Sequence, residues 1–237
     1  MAAPVISDSV LAGAGGTNTV TTGNLVVGGS NRVLYVFVGN SDGTPKAVST
    51  VTWNVASPES FTKIHDTGTS SFQLVEVWRL IAPSAATDNI TVTLAGSTTA
   101  LIVVAVAVED IDQTVPNGTI VDDQQEPGTD SAASINVSSA AGKLILDFIY
   151  RFADALNVGA GQTQLENAFQ TEAQAASSTE AGAASVTMSW TSLGAGTQFQ
   201  WAWSMVGLSL NEVSAGGATI YNRSIFGSPI FNSRVIR

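Results

Sequence analysis

Apolar side chains that alternate with hydroxyls constrain this chain more than any other feature in it. Ile90, Val92 and Leu94 alternate with Thr91 and Thr93, and Val186, Met188 and Trp190 with Thr187, Ser189 and Thr191. A period of two gathers the apolar groups on one face of a strand and scatters them around a helix. Leu144, Leu146, Phe148 and Tyr150 make another such face, with Lys143, Asp147 and Arg151 opposite. Residues 33–38 and 101–108 are apolar at both parities, the pattern of a strand buried on both sides. Within 101–108 the large Ile102, Val104, Val106 and Val108 share one face, and the small Ala105 and Ala107 the other. Along 197–210 the stripe Phe199, Trp201, Trp203 and Met205 gives way to Val206, Leu208 and Leu210. That change of parity predicts a bulge or bend at Gly207. The Ala- and Gln-rich stretches 153–156 and 166–176 are the candidates for a short helical turn, and neither carries an apolar stripe at helical spacing.

Turn-rich segments such as 40–45, 82–88 and 125–130 separate strands every 8–15 residues, the spacing of a sandwich or barrel. At 237 residues, 44% hydrophobic and 12% charged, the chain can bury a core and lacks the balance of disorder. Landmarks recur in order. Asn31-Arg-Val-Leu-Tyr-Val-Phe-Val38 is similar to Gly142-Lys-Leu-Ile-Leu-Asp-Phe-Ile149, and residues 90–94 to 186–190. After each comes a long apolar strand, 101–108 and 199–210. The expectation is an all-β, jelly-roll-like antiparallel β-sandwich over 1–215. It is built from two loosely similar halves, 1–121 and 122–215, each giving strands to both sheets.

Residues 216–237 read differently. After Gly216-Gly217, the apolar Ile220, Tyr221, Ile225, Phe226, Ile230, Phe231, Val235 and Ile236 crowd together with Arg223, Arg234 and Arg237. Gly227 and Pro229 oppose a helix. This predicts an extended C-terminal arm that docks either on its own body or on another subunit. The second is the expectation carried forward, with these eleven residues as the partner-binding set. The arm holds no acid, while the rest of the chain has nineteen acidic and six basic residues. That contrast favours contact between the arm of one copy and the body of another.

The reactive side chains needed for catalysis are scarce, so no enzyme, cofactor or resident metal is expected. Cysteine is absent, and the single histidine, His65, precedes an Asp66 that a strand would point to the opposite face. Gly13-Ala-Gly-Gly16 and Gly159-Ala-Gly161 complete no phosphate-binding motif. Glu109, Asp110 and Asp112, with Asp122 and Asp123, supply oxygens of the kind that bind Ca²⁺, at spacings that fit no known calcium loop. The five tryptophans, Trp53, Trp78, Trp190, Trp201 and Trp203, read as core or as stacking platforms for sugar rings. A net charge of −10 argues against nucleic acid as a partner. No apolar run reaches the ~20 residues of a membrane-spanning helix, and no signal peptide opens the chain.

Residues 31–118 resemble a domain of tailed-phage structural proteins, of the head-decoration or tail-associated kind, also seen in some bacterial surface proteins. The cues are Asn31-Arg-Val-Leu-Tyr-Val, Val51-Thr-Trp-Asn54, Phe61-Thr-Lys-Ile64, Val75-Glu-Val-Trp78-Arg-Leu-Ile-Ala-Pro83, Ile90-Thr-Val-Thr-Leu94 and Val108-Glu-Asp-Ile-Asp-Gln-Thr-Val-Pro116. The resemblance implies a jelly-roll-like sandwich with a virion or cell-surface role; with no signal peptide, the expectation is a virion protein made in the host cytoplasm. Its partners would be copies of itself and other capsid or tail proteins. A glycan-binding or receptor-binding module facing a host-surface glycan is the alternative.

Overall fold

The alternating segments form strands, and among the described residues no helix occurs. The computed structural model describes residues 2–68, 73–125, 132–152, 155–170, 172–192 and 202–213. The first half contributes β1 (Val5–Ala14), β2 (Thr17–Thr21), β3 (Leu25–Val27), β4 (Val33–Ser41), β5 (Val48–Trp53), β6 (Glu59–Ser60), β7 (Thr62–Asp66), β8 (Gln73–Ile81), β9 (Ala86–Asp88), β10 (Ile90–Thr98) and β11 (Ala100–Glu109). The second contributes β12 (Asn117–Gln125), β13 (Ala132–Ser138), β14 (Leu144–Phe152), β15 (Leu156–Val158), β16 (Thr163–Gln170), β17 (Ala173–Ala181), β18 (Ser185–Ser192) and β19 (Trp203–Leu210).

All pairings between these strands are antiparallel, and each sheet draws on one half alone. The first half has a large sheet, β1-β11-β4-β8-β7, a smaller one, β2-β10-β5-β6, and the ribbon β3-β9. The second has a large sheet, β12-β19-β14-β17-β16, and a smaller one, β13-β18-β15. Sandwich packing is therefore present, but not as a single pair of sheets fed by both halves. Each half closes its own pair. The strand orders match: β1, β11, β4, β8 and β7 stand where β12, β19, β14, β17 and β16 stand, and β2, β10 and β5 where β13, β18 and β15 stand. Three of these equivalences, β4 with β14, β10 with β18 and β11 with β19, join the stretches whose sequences are similar.

Three apolar layers hold four sheets together. Leu34, Val36, Val38, Leu101 and Val103 meet Val51, Trp53, Ile90 and Val92 inside the first half. Ile145, Ile149 and Met205 meet Ile135, Val137, Met188 and Trp190 inside the second. Between the halves the two large sheets pack face to face: Tyr35, Phe37, Val104 and Val106 lie against Leu146, Phe148, Ala175 and Val206. That joint is why β4 and β11 are apolar at both parities. Phe37 and Phe148, on equivalent strands, stack across it with centroids 5.3 Å apart and planes 11° from parallel. Polar ties flank the stack. Ser9 Oγ donates to Glu166 Oε1 at 2.7 Å on one side, and His65 Nε2 meets Asp122 Oδ1 at 2.8 Å on the other. The first pairs β1 with β16 and the second β7 with β12, which equivalence interchanges. The joint is thus a two-fold-like, isologous interface within one chain.

Two local expectations are corrected. Residues 166–170 and 173–176 lie on the paired strands β16 and β17, not in a helical turn, and of the stretch 153–156 residues 153 and 154 lie outside the described residues. Alanine suits a helix, but Ala173 and Ala175 face the first half, where small side chains let the sheets approach. At Gly207 the strand does not bulge, and β14 and β19 stay in register through it. The change of parity marks a strand buried on both faces, with Trp203 and Met205 toward β13 and β18, and Val206, Leu208 and Leu210 toward the joint. Glycine at 207 leaves room for Ile135 Cδ1 and Val137 Cγ2, which a Cβ would meet at 2.7 and 2.8 Å.

Gly39 is the tighter case. A Cβ there would collide with the ring of Tyr150. That ring cannot swing away, because its hydroxyl oxygen lies 2.8 Å from Ser41 Oγ and 3.2 Å from the Ala100 carbonyl, within hydrogen-bond reach of both. Gly39→Ala is expected to cost about 1–3 kcal/mol by overpacking. Thermal unfolding measures it, and an unchanged midpoint would show that Tyr150 does not sit over this strand.

Candidate functional site

The candidate reactive groups serve internal bonds. His65, on β7, is held by Asp122 across the joint. Its sequence neighbour Asp66 turns away to accept from Lys63 Nζ at 2.8 Å and from the Gly68 amide at 3.2 Å. Asp112 Oδ1 caps the turn after β11, accepting from Thr114 N at 2.7 Å and Val115 N at 2.9 Å. Asp110, in the left-handed region at φ 54°, lies 3.4 Å from Ser30 Oγ, and Asp123 accepts from the Gln124 amide. Glu109 closes against Gly29, beside the Ser30 that Asp110 reaches. Among the described residues, no three His, Cys, Asp or Glu side chains converge as metal ligands would.

Tryptophans are committed as well. Trp53 is fully enclosed, with Nε1 donating to the Ser84 carbonyl, and Trp190 and Trp203 are buried. Trp78 is half-buried and donates to Glu76 Oε2 at 2.9 Å. Trp201 lies outside the described residues. Each sandwich thus holds a buried carboxyl that accepts from an indole N–H, Glu76 from Trp78 and Asp147 from Trp190. Burial raises Glu76, opposed by the amide of Val48 and the charge of Lys63. In the second half Asp147 Oδ1 accepts from Ser178 N and Ser178 Oγ, both at 2.7 Å, and Oδ2 from Trp190 Nε1 at 2.8 Å and Gln162 Nε2 at 3.4 Å. Complete burial pushes its carboxyl from the ordinary 3.8 up to about 7, against the pull of these donors.

Comparison with family models, curated proteins and solved structures finds no match. What remains for a site is the protein's surface.

That surface has two kinds of ground. The outward faces of the small sheets carry hydroxyl rows. Thr19, Thr93 and Thr50 stand side by side on three strands, as do Thr21, Thr91 and Thr52, with Thr21 and Thr91 hydroxyls 3.0 Å apart. Asn136 and Thr187 continue the theme on the second half. Such faces hold water and suit β-branched residues.

The other ground is the side where β1 lies over β16. Both are edge strands of their sheets. Between them lies an open cleft of about 500 Å³ lined by Pro4 to Ser9, Leu144, Thr163, Leu165 and Thr179. Val5, 53% exposed, stands at its rim, and Phe169, 52% exposed, lies farther along β16. Sequence reasoning singled out none of the first nine residues or of 163–165. No motif marks them, since the cleft exists only because two halves stack. The partner-binding arm residues, Ile220 to Arg237, lie outside the described residues.

Proposed function

We propose that the chain is a virion structural protein of a tailed phage, a capsid-decoration or tail-associated subunit. It acts by contacts between subunits made through segment 216–237. The supporting observation is where apolar surface remains. Among the described residues only Val5, Val26, Val115 and Phe169 are large apolar side chains left exposed. The segment beyond 216 holds eight large apolar residues and three arginines in its sequence, and the acids lie in the rest of the chain. Buried anchors of ~1.5–3 kcal/mol each offset the entropy of ordering such a segment. The resemblance of residues 31–118 to phage structural domains supplies the setting. A glycan-binding reading has less support, because Trp53 is enclosed and Trp78 is tied to Glu76.

Deleting 216–237 is expected to leave the strand content and the melting temperature nearly unchanged while abolishing self-association. Circular dichroism and light scattering on the same samples decide it. A truncated chain that still associates as the full one does would overturn the proposal.

A further inference from the structure

We infer that the cleft between β1 and the large sheet of the second half receives segment 216–237 of a second copy. The inference rests on the subunit-contact reading and names the surface that reading requires.

Position is the first argument. The cleft sits at one end of the stacked sheets, where β1 begins at Val5 beside Glu109, and β14 begins at Leu144 beside Leu210. The chain reaches the same end after β19: Glu212 bridges Ile111, and the Val213 amide donates to the Asp110 carbonyl at 3.3 Å. Twenty-four residues follow Val213. Exit and acceptor therefore adjoin. Two copies facing one another by this end exchange segments reciprocally, which gives a closed, isologous contact.

Chemistry is the second. Ile6, Leu144 and Leu165 are only partly buried, and Val5 is exposed. A volume of about 500 Å³ has room for an Ile-Phe pair, and the segment carries two, Ile225-Phe226 and Ile230-Phe231. Charge agrees. Asp8 lines the cleft, Glu166 bonds to its Ser9, Glu109 pairs with Val5, and Glu180 follows Thr179. Lys143 is the one basic residue adjoining the lining in sequence, against Arg223, Arg234 and Arg237 on the segment. Edge strands are also where an extended segment gains backbone partners.

The chain has no cysteine, so the contact can be trapped in the full-length protein. Thr163→Cys is combined in turn with Ser224→Cys, Ser228→Cys or Ser233→Cys. Mild oxidation is followed by non-reducing electrophoresis. The control replaces Thr163→Cys by Thr50→Cys on the outer hydroxyl face. Both acceptor positions are exposed and tolerate the change. At least one pair with Thr163→Cys is expected to give chain-to-chain product roughly tenfold above the control, as a local concentration near millimolar requires. Yields equal to the control at all three positions would overturn the assignment of the cleft. If truncation at 216 still abolishes association in that case, the subunit-contact reading stands without it. Crosslinks formed only within single chains would overturn both.

Discussion

Phe148→Ala is expected to lower stability by about 3–5 kcal/mol, the usual cost of emptying a fully buried aromatic site. For a chain of this size that is a fall in melting temperature on the order of 10 °C. Phe148 has no exposed surface and stacks on Phe37 at the centre of the joint. Alanine therefore removes both the burial and the ring-on-ring contact, ~0.5–1.5 kcal/mol beyond area alone. Phe37→Ala is expected to cost nearly as much, and the double variant less than the sum, because the two rings are each other's partner. Chemical denaturation of the three variants measures the coupling. Strict additivity would show that the two large sheets are not in contact through these rings.

Asp147→Asn is the second large effect, and its size depends on pH. Four donors converge on the carboxyl, and an amide offers them one acceptor and a competing NH₂ group. Donors left unmatched in a buried site cost about 1–3 kcal/mol each. The wild-type carboxyl, raised by burial to about 7, keeps its proton in the folded state where the unfolded chain has lost it. Its contribution is therefore greatest below pH ~4, declines by up to about 1.4 kcal/mol per pH unit, and levels off above 7. The asparagine variant lacks this decline. Denaturation at pH 5, 6.5 and 8 is expected to show the gap between the two proteins narrowing as pH rises. A constant gap would mean that Asp147 is ionised throughout.

Much of the fold was legible because strand periodicity is local. The faces of β10, β14 and β18 and the two-sided burial of β4 and β11 stand in the sequence as written. What it hides is the neighbour. Val206, Leu208 and Leu210 read as a change of phase because nothing in one strand tells a second covering sheet from a bend. Ala173 and Ala175 read as weakly helical because the value of a small side chain between sheets appears only once the other sheet is there. The same holds for the site. His65 meets Asp122 from 57 positions away, and the cleft joins residues 4–9 to Leu144, Thr163, Leu165 and Thr179. Residues 216–237, by contrast, drew attention by composition alone.

The hydroxyl rows on the two outermost sheets set a limit on growth. A body whose broad exteriors prefer solvent to one another cannot pile into slabs. Copies joined reciprocally at one end would stop at closed pairs, with their broad hydroxylated exteriors left to solvent.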